Sequence, residues 1–241
     1  MDLKEQAILG SAIGGHWYYR SKLAALLRWT GEFSPREVLD VGAGSGFFSR
    51  ELLARTAAAA ATCVDPGYEA EHDETCAGKP LRFRREAGGT NADVLLLMDV
   101  LEHVEDDRGL LRHYAGQAGR GTHVVITVPA FQWLWSGHDV FLEHRRRYTL
   151  RGIEALALDA GLTVQRGAYF FASVFPLAVV ARFPAVLRRF VSGGDLRAQS
   201  AMKRHGALGN ALLGSLCAAE LPVFPSNRLA GLTAFVHARV A

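Results

Sequence analysis

Two rhythms of apolar residues alternate along the chain, and together they predict an α/β fold. Runs of β-formers occur at Val38 to Val41, up to Val64, at Leu81 to Arg85, at Val94 to Met98 and at Thr122 to Val128. The run Val94 to Met98 has no polar residue, which is the composition of a central parallel strand covered on both faces. Leu162 to Phe170 and Leu232 to Val240 extend the set to seven strands. Helical stretches fall between them. Leu23, Leu26 and Leu27 share one helical face, Phe47 to Ala60 is rich in helix-formers, and Arg108 to Gly119 reads as a further helix. Thr149 can cap a helix that runs to Ala160 and ends at Gly161. Gly67 to Pro80, small and mixed in charge, reads as a surface helix or loop, and Arg188 to Asp195 as a turn.

These elements suit one domain of 241 residues rather than two. Residues 1–34 form an N-terminal helical cap, 35–171 the core, 172–226 a helical insertion or lid, and 227–241 the last strand. Apolar residues at 49% and charged residues at 21% exclude a disordered chain, and a net charge of +3 is too small to argue for a nucleic-acid partner. Cys63, Cys76 and Cys217 are odd in number and make no CxxC, which points to a reducing compartment and no zinc site. The opening MDLKEQAILG lacks the pattern of a signal peptide. The longest apolar run, Ala168 to Ala181, contains Pro176 and falls short of the roughly 20 residues of a bilayer span. A cytoplasmic location is expected.

Candidate chemistry starts where the first strand meets the first core helix. Gly42, Gly44 and Gly46 bare the backbone at a helix N-terminus, so a ligand can lie against unpaired N–H donors. Asp65, at the end of the second strand, offers two oxygens to the hydroxyls of a ribose. The spacing is GxGxG, with Asp40 one residue before the strand ends, and ADVLLLMDVLEHVEDD follows at Ala92 to Asp107. This ordered pair of motifs resembles the class I S-adenosylmethionine-dependent methyltransferases. The resemblance implies a Rossmann-like, doubly wound, seven-stranded sheet whose last strand is antiparallel, with S-adenosyl-L-methionine as cofactor. It implies cofactor contacts from Asp40, Gly42, Ala43, Gly44, Gly46, Phe47, Asp65, Pro66, Asp99, Val100 and Leu101. Trp17, Tyr18 and Arg20 would cover the cofactor. The acid that many members place after the third strand for the adenine is absent in its usual form, which leaves Glu86 as the candidate.

Methyl transfer to a hydroxyl needs a general base as well as alignment. The stretch after the fifth strand supplies His138, with Asp139 as its orienter, followed by His144 and by His103 from the earlier turn. His138, Asp139 and His144 match no metal-ligand spacing, so no metal is assigned. Trp133, Trp135, Arg146 and Tyr148 are expected to shape the acceptor site, with Arg145 to Arg147 either gripping an anionic group or forming a solvated face. Tyr169 to Val191 is apolar but interrupted by Arg182, Arg188 and Arg189, a pattern that suits a lid, a dimer face or a peripheral membrane contact. The pattern is similar to methyltransferases of the ubiquinone O-methyltransferase type. That implies a small-molecule or lipid-linked acceptor, with oxygen preferred and nitrogen and carbon open, no nucleic acid, and a monomer or homodimer. Two rivals are kept. One is a nicotinamide-dependent oxidoreductase, disfavoured by the GxGxG spacing; the other is a non-catalytic membrane-associated or partner-binding protein on the same scaffold.

Overall fold

The computed structural model describes residues 8–192, 196–201 and 206–241. Its centre is an eight-stranded sheet of β1 (Glu37–Val41), β2 (Ala60–Val64), β3 (His72–Cys76), β4 (Lys79–Arg84), β5 (Val94–Met98), β6 (His123–Pro129), β7 (Leu162–Phe170) and β8 (Thr233–Val240). The order across the sheet is β3-β4-β2-β1-β5-β6-β8-β7. From β4 to β6 the neighbours run parallel, whereas β8 is antiparallel to both β6 and β7. The expected doubly wound sheet with a reversed last strand is therefore present.

The sheet has one strand more than the seven expected. His72–Cys76, within the stretch read as helix or loop, pairs antiparallel with β4 through a tight turn at Ala77 and Gly78, both at positive φ. Its side chains alternate between exposed and half-buried, so no apolar face announces it. This is an edge strand made by backbone pairing.

The helices are α1 (Trp17–Thr30), α2 (Phe47–Arg55), α3 (Asp107–Gln117), α4 (Gly137–Phe141), α5 (Leu150–Asp159), α6 (Phe175–Ser192) and α7 (Ala207–Glu220). Every side chain of β5 is buried, and alternation along it feeds both faces of the sheet. Leu95 and Leu97 join Leu111 of α3 and Ile153 of α5, while Val94 and Leu96 join Leu26 of α1 and Leu52 of α2. Thr149 caps α5 as expected, accepting from the Gly152 amide at 3.1 Å.

The described part of the insertion contains α6 and α7 and is tied down at its start. Glu220 of α7 accepts from the Ala172 and Ser173 amides at 2.8 and 2.9 Å, satisfying donors just before α6. Asn210 bridges α7 to the chain entering α1, accepting from the Trp17 amide at 2.8 Å and donating to the Gly15 carbonyl at 2.9 Å. Of the turn expected at Arg188 to Asp195, residues through Ser192 continue α6; Gly193, Gly194 and Asp195 lie outside the described residues. Among the described residues no helix is long and apolar enough to cross a membrane.

Candidate active site

The carboxyl ends of β1, β2 and β5 border a cleft of about 570 Å³ lined by Gly42, Asp65, Pro66, Glu86, Asp99, Val100 and Tyr114, among others. Ligands of open parallel sheets bind at this edge. Asp65 is fixed there by two backbone donors, the Gly44 amide at 3.0 Å and the Gly67 amide at 2.9 Å, one to each oxygen. Each oxygen keeps further acceptor capacity for a ribose hydroxyl. Tyr68 donates to the Gly44 carbonyl at 2.7 Å and so braces the turn from the side.

The glycine turn is also constrained by the protein's own packing. Gly42, Gly44 and Gly46 all have positive φ, between 53° and 69°. A Cβ on Gly42 would stand 2.7 Å from Val100 Cγ2, and one on Gly46 would stand 3.1 Å from Cys63 Sγ and from the Phe83 ring. The protein's own side chains exclude larger residues at Gly42 and Gly46.

Several residues expected at the cofactor do not line this cleft. Asp40 is buried beneath the turn, where Ser49 donates to it at 2.8 Å and burial pushes its carboxyl up to about 6. Ala43, Phe47 and Leu101 are buried in the core. Trp17 and Tyr18 line a second cavity, and Arg20 borders a separate hollow between α1 and α7. Glu86, by contrast, does line the cleft.

The second cavity, about 150 Å³, shares Asp99, His103 and Leu142 with the cleft and is also lined by Trp17, Tyr18, Glu102, His138, His144, Arg147 and Arg182. Asp99 is the hinge between the two. Its φ of +56° turns the chain sharply after β5, its amide donates to the Thr127 carbonyl at 3.0 Å, and Thr127 Oγ1 donates back to its carboxylate at 3.1 Å. Lys22, fully buried on α1, donates to the other carboxylate oxygen. Burial alone would push the Asp99 carboxyl up, but the Lys22 ammonium outweighs it and holds it below the usual carboxylate value. Reading the sequence missed Lys22, although it falls on the same helical stripe as Tyr19, Leu23 and Leu26. A lysine on a buried stripe is itself a signal of a partner.

Asp139 is the organiser of the stretch after β6. It accepts from His144 Nδ1 at 2.9 Å, from Arg147 Nε and Nη2 at 2.6 and 3.0 Å, and from the Ser136 amide and hydroxyl at 2.8 and 3.1 Å. Burial would raise its carboxyl, yet His144 and Arg147 hold it far below the usual range. A carboxylate only accepts, so His144 donates from Nδ1. The expectation paired Asp139 with His138; its observed partner is His144. His138 lines the cavity, and its Nδ1 accepts from the Ala201 amide at 3.2 Å.

The arginine triplet is consumed within the chain. Arg145 pairs with Glu105, Arg146 with Asp107, and Arg147 with Asp139. Arg146 therefore makes a structural ion pair rather than an open anion grip, and Tyr148 donates to the same Asp107 at 2.7 Å. Trp133 is 44% exposed and packs edge-on against Phe175, away from the cavity lining, which Trp135 does not join either. Arg182, seen in the sequence only as an interruption, lines the cavity, where burial lowers its guanidinium to about 10. Glu102 is fully buried, and neither carboxylate oxygen has a hydrogen-bond partner. Burial, with Asp99 nearby, pushes its carboxyl well up.

The family model described as "methyltransferase domain" matches residues 16–166, more than half of the chain. The chain belongs to the class I S-adenosylmethionine-dependent methyltransferases. Its cofactor is S-adenosyl-L-methionine, and the cleft fits it: the volume lies in the range of sites that enclose a whole small ligand. The methyltransferase fold is also seen in distant solved structures. A chain from the complex of the Haloferax volcanii Trm112 methyltransferase activator with a methyltransferase has a TM-score of 0.58 at 15% identity, covering 100% of this chain and 98% of that one. The plantazolicin methyltransferase BamL, solved with a triazolic desmethylPZN analogue and SAH, has a TM-score of 0.54 at 11% identity, covering 98% and 88%. Phosphoethanolamine N-methyltransferase 2 of Haemonchus contortus, with S-adenosyl-L-methionine, has a TM-score of 0.53 at 14% identity, covering 92% and 52%. No curated protein matches the chain in sequence.

Proposed function

We propose that this methyltransferase is catalytically active and methylates a hydroxyl on a small-molecule or lipid-linked acceptor, whose reacting end enters the cavity beside Asp99. The observation that carries this reading is the meeting of two cavities at Asp99, His103 and Leu142, with an oriented imidazole on the acceptor side. The cofactor supplies an electrophilic methyl group. Asp65 and Glu86 would hold its ribose and adenine, and Gly42 and Val100 would border it along the cleft.

His144 is the residue placed to draw off the acceptor's proton. Asp139 fixes its tautomer and steadies the imidazolium that forms, leaving Nε2 for the proton. This assignment replaces His138 by His144 as the first choice of base. Trp17 and Tyr18 wall the cavity with aromatic surface and help to exclude water.

At about 150 Å³ the cavity is smaller than sites that enclose a whole drug-sized ligand, so only the reacting end of an acceptor fits. The remainder would extend past α6, whose Leu177, Val180 and Phe183 are exposed. Arg182 on the cavity wall would pair with a carboxylate or phosphate on the acceptor.

Radiolabelled methyl transfer tested over phenolic and polyprenyl-linked hydroxyl acceptors examines the reading. With an accepted substrate, His144→Ala should slow single-turnover transfer by about 10²–10⁴ fold. Unchanged single-turnover rates in His144→Ala would contradict the assignment.

A further inference from the structure

We propose that residues 196–201 form a strap that closes the mouth of the acceptor cavity and sets the size of the acceptor's reacting end, with Gly137 and His138 as the positioning residues that seat it. That role rests on the reading that an acceptor enters this cavity.

The strap crosses α4 at the distance of backbone contact. The Gln199 amide donates to the Gly137 carbonyl at 2.9 Å. A Cβ on Gly137 would stand 2.3 Å from the Arg197 carbonyl oxygen and 3.5 Å from the Gln199 nitrogen. The first distance is a hard clash with backbone, so the strap can lie here because residue 137 has no side chain. Unlike Gly42, Gly44 and Gly46, Gly137 is helical and does not have a positive φ. The conformation of α4 does not call for glycine there, and alanine is the better helix former. The requirement comes from the strap.

His138 supplies a second anchor. Its Nδ1 accepts from the Ala201 amide at 3.2 Å, and both residues line the cavity. A backbone amide only donates, so Nδ1 keeps its lone pair for this bond. His138, the base expected from the sequence, thus has a task in holding the cavity wall while His144 is the residue placed to take the proton.

The two sides of this contact are unequally held. α4 is pinned through Asp139, which accepts from His144, Arg147 and Ser136. In the strap, Arg197, Ala198, Gln199 and Ala201 are exposed, and Leu196 and Ser200 are half-buried. A segment with little buried apolar contact opens at low cost, so a clash between the two displaces the strap and leaves α4 in place. When seated, the strap adds Ala201 to Trp17 and Tyr18 of α1, His138 of α4 and Arg182 of α6 around a cavity of about 150 Å³. A methylene too many in such a pocket costs about 10–200-fold in selection, so this wall discriminates by bulk beside the reacting hydroxyl.

Hydrogen–deuterium exchange of the full chain reads the seat without any acceptor. The Gln199 and Ala201 amides of the wild type should be protected, and Gly137→Ala should speed their exchange about tenfold or more while β5 keeps its protection. Unchanged affinity of Gly137→Ala for S-adenosyl-L-methionine shows that this variant is folded. His138→Ala should speed exchange at Ala201, and His138→Asn, which keeps an acceptor near the place of Nδ1, should restore it. Radiolabelled methyl transfer to phenol and to 2-isopropylphenol reads selection. The wild type should favour phenol, and Gly137→Ala should narrow the ratio of the two kcat/KM values about tenfold or more. Unprotected strap amides in the wild type, unchanged protection in Gly137→Ala, or lost protection with an unchanged ratio would each overturn the strap's role. Protection as expected without methyl transfer to either phenol overturns the phenolic acceptor and supports the seat of the strap.

Discussion

Lys22 and Asp99 are joined by an ion pair although 77 residues separate them in the chain. Lys22 is fully buried, whereas Asp99 keeps 25% of its side chain exposed at the junction of cleft and cavity. The N-terminal helix is thereby chained to the loop on which the reaction centre is built, and packing and site geometry share one contact. Lys22→Met should leave the Asp99 carboxylate without its counter-charge and cost about 3 kcal/mol, near the lower end for breaking a buried pair because Asp99 retains some water. Urea unfolding at neutral pH measures this; a loss below about 1 kcal/mol would show that the pair is not structural.

Asp40 gives a pH dependence with a definite sign. Its carboxyl is raised by burial to about 6, above the unfolded value of 3.8. Between those values the folded chain keeps a proton that the unfolded chain releases, so this group's contribution to stability is full below about pH 4 and is lost as pH rises to about 6. Asp40→Asn retains an acceptor for Ser49 and removes the titration. The stability of the wild type relative to Asp40→Asn should fall by about 1.4 kcal/mol per pH unit across that window and stay level above it. A difference that rises with pH would contradict the assignment.

The glycine turn is testable by a pair of substitutions. Gly42→Ala places a methyl 2.7 Å from Val100 Cγ2 at a φ of +66°, so it should destabilise by about 2–4 kcal/mol from overpacking and left-handed strain together. Val100→Ala on that background should recover the steric part but not the strain. Thermal melts of the single and double variants check this, and strict additivity would show that the two side chains do not meet.

Asp139→Asn should disturb two properties at once. It removes the charge that Arg147 and His144 share, costing about 3–5 kcal/mol of stability, and it frees His144 to adopt either tautomer. Methyl transfer should slow nearly as much as in His144→Ala, and the two substitutions together should be far from additive. Rates measured on the folded fraction separate the two effects.

Most of the sheet was legible because parallel strands buried on both faces have little choice of composition. Val94–Met98 is such a run, and the glycines with Asp65 mark the turn and strand end beside it. What was not legible depends on pairing rather than on composition. β3 is held by backbone bonds to β4 and has no apolar face, so its sequence looks like a loop. Asp139 is adjacent to His138 in sequence, but one short helical turn carries its carboxylate to His144 and Arg147 instead. Arg146 and Arg147 stand side by side in the chain and face opposite tasks, one binding Asp107 and the other Asp139. Lys22 and Arg182 reach the site from helices outside the motif-bearing core, and no local pattern names Asp99 as the partner of Lys22 or the cavity as the place of Arg182.

The central claim is that the cleft bounded by Gly42, Asp65 and Asp99 holds the cofactor's adenosyl group. Isothermal titration of S-adenosyl-L-methionine into the full chain, with Asp65→Ala alongside, tests it most directly. The account predicts one site per chain and a loss of affinity of about ten- to a hundredfold in Asp65→Ala, as expected for hydrogen bonds to a charged acceptor worth about 1.5–3 kcal/mol. No measurable binding by the wild type, or equal affinity in the folded Asp65→Ala protein, would contradict it.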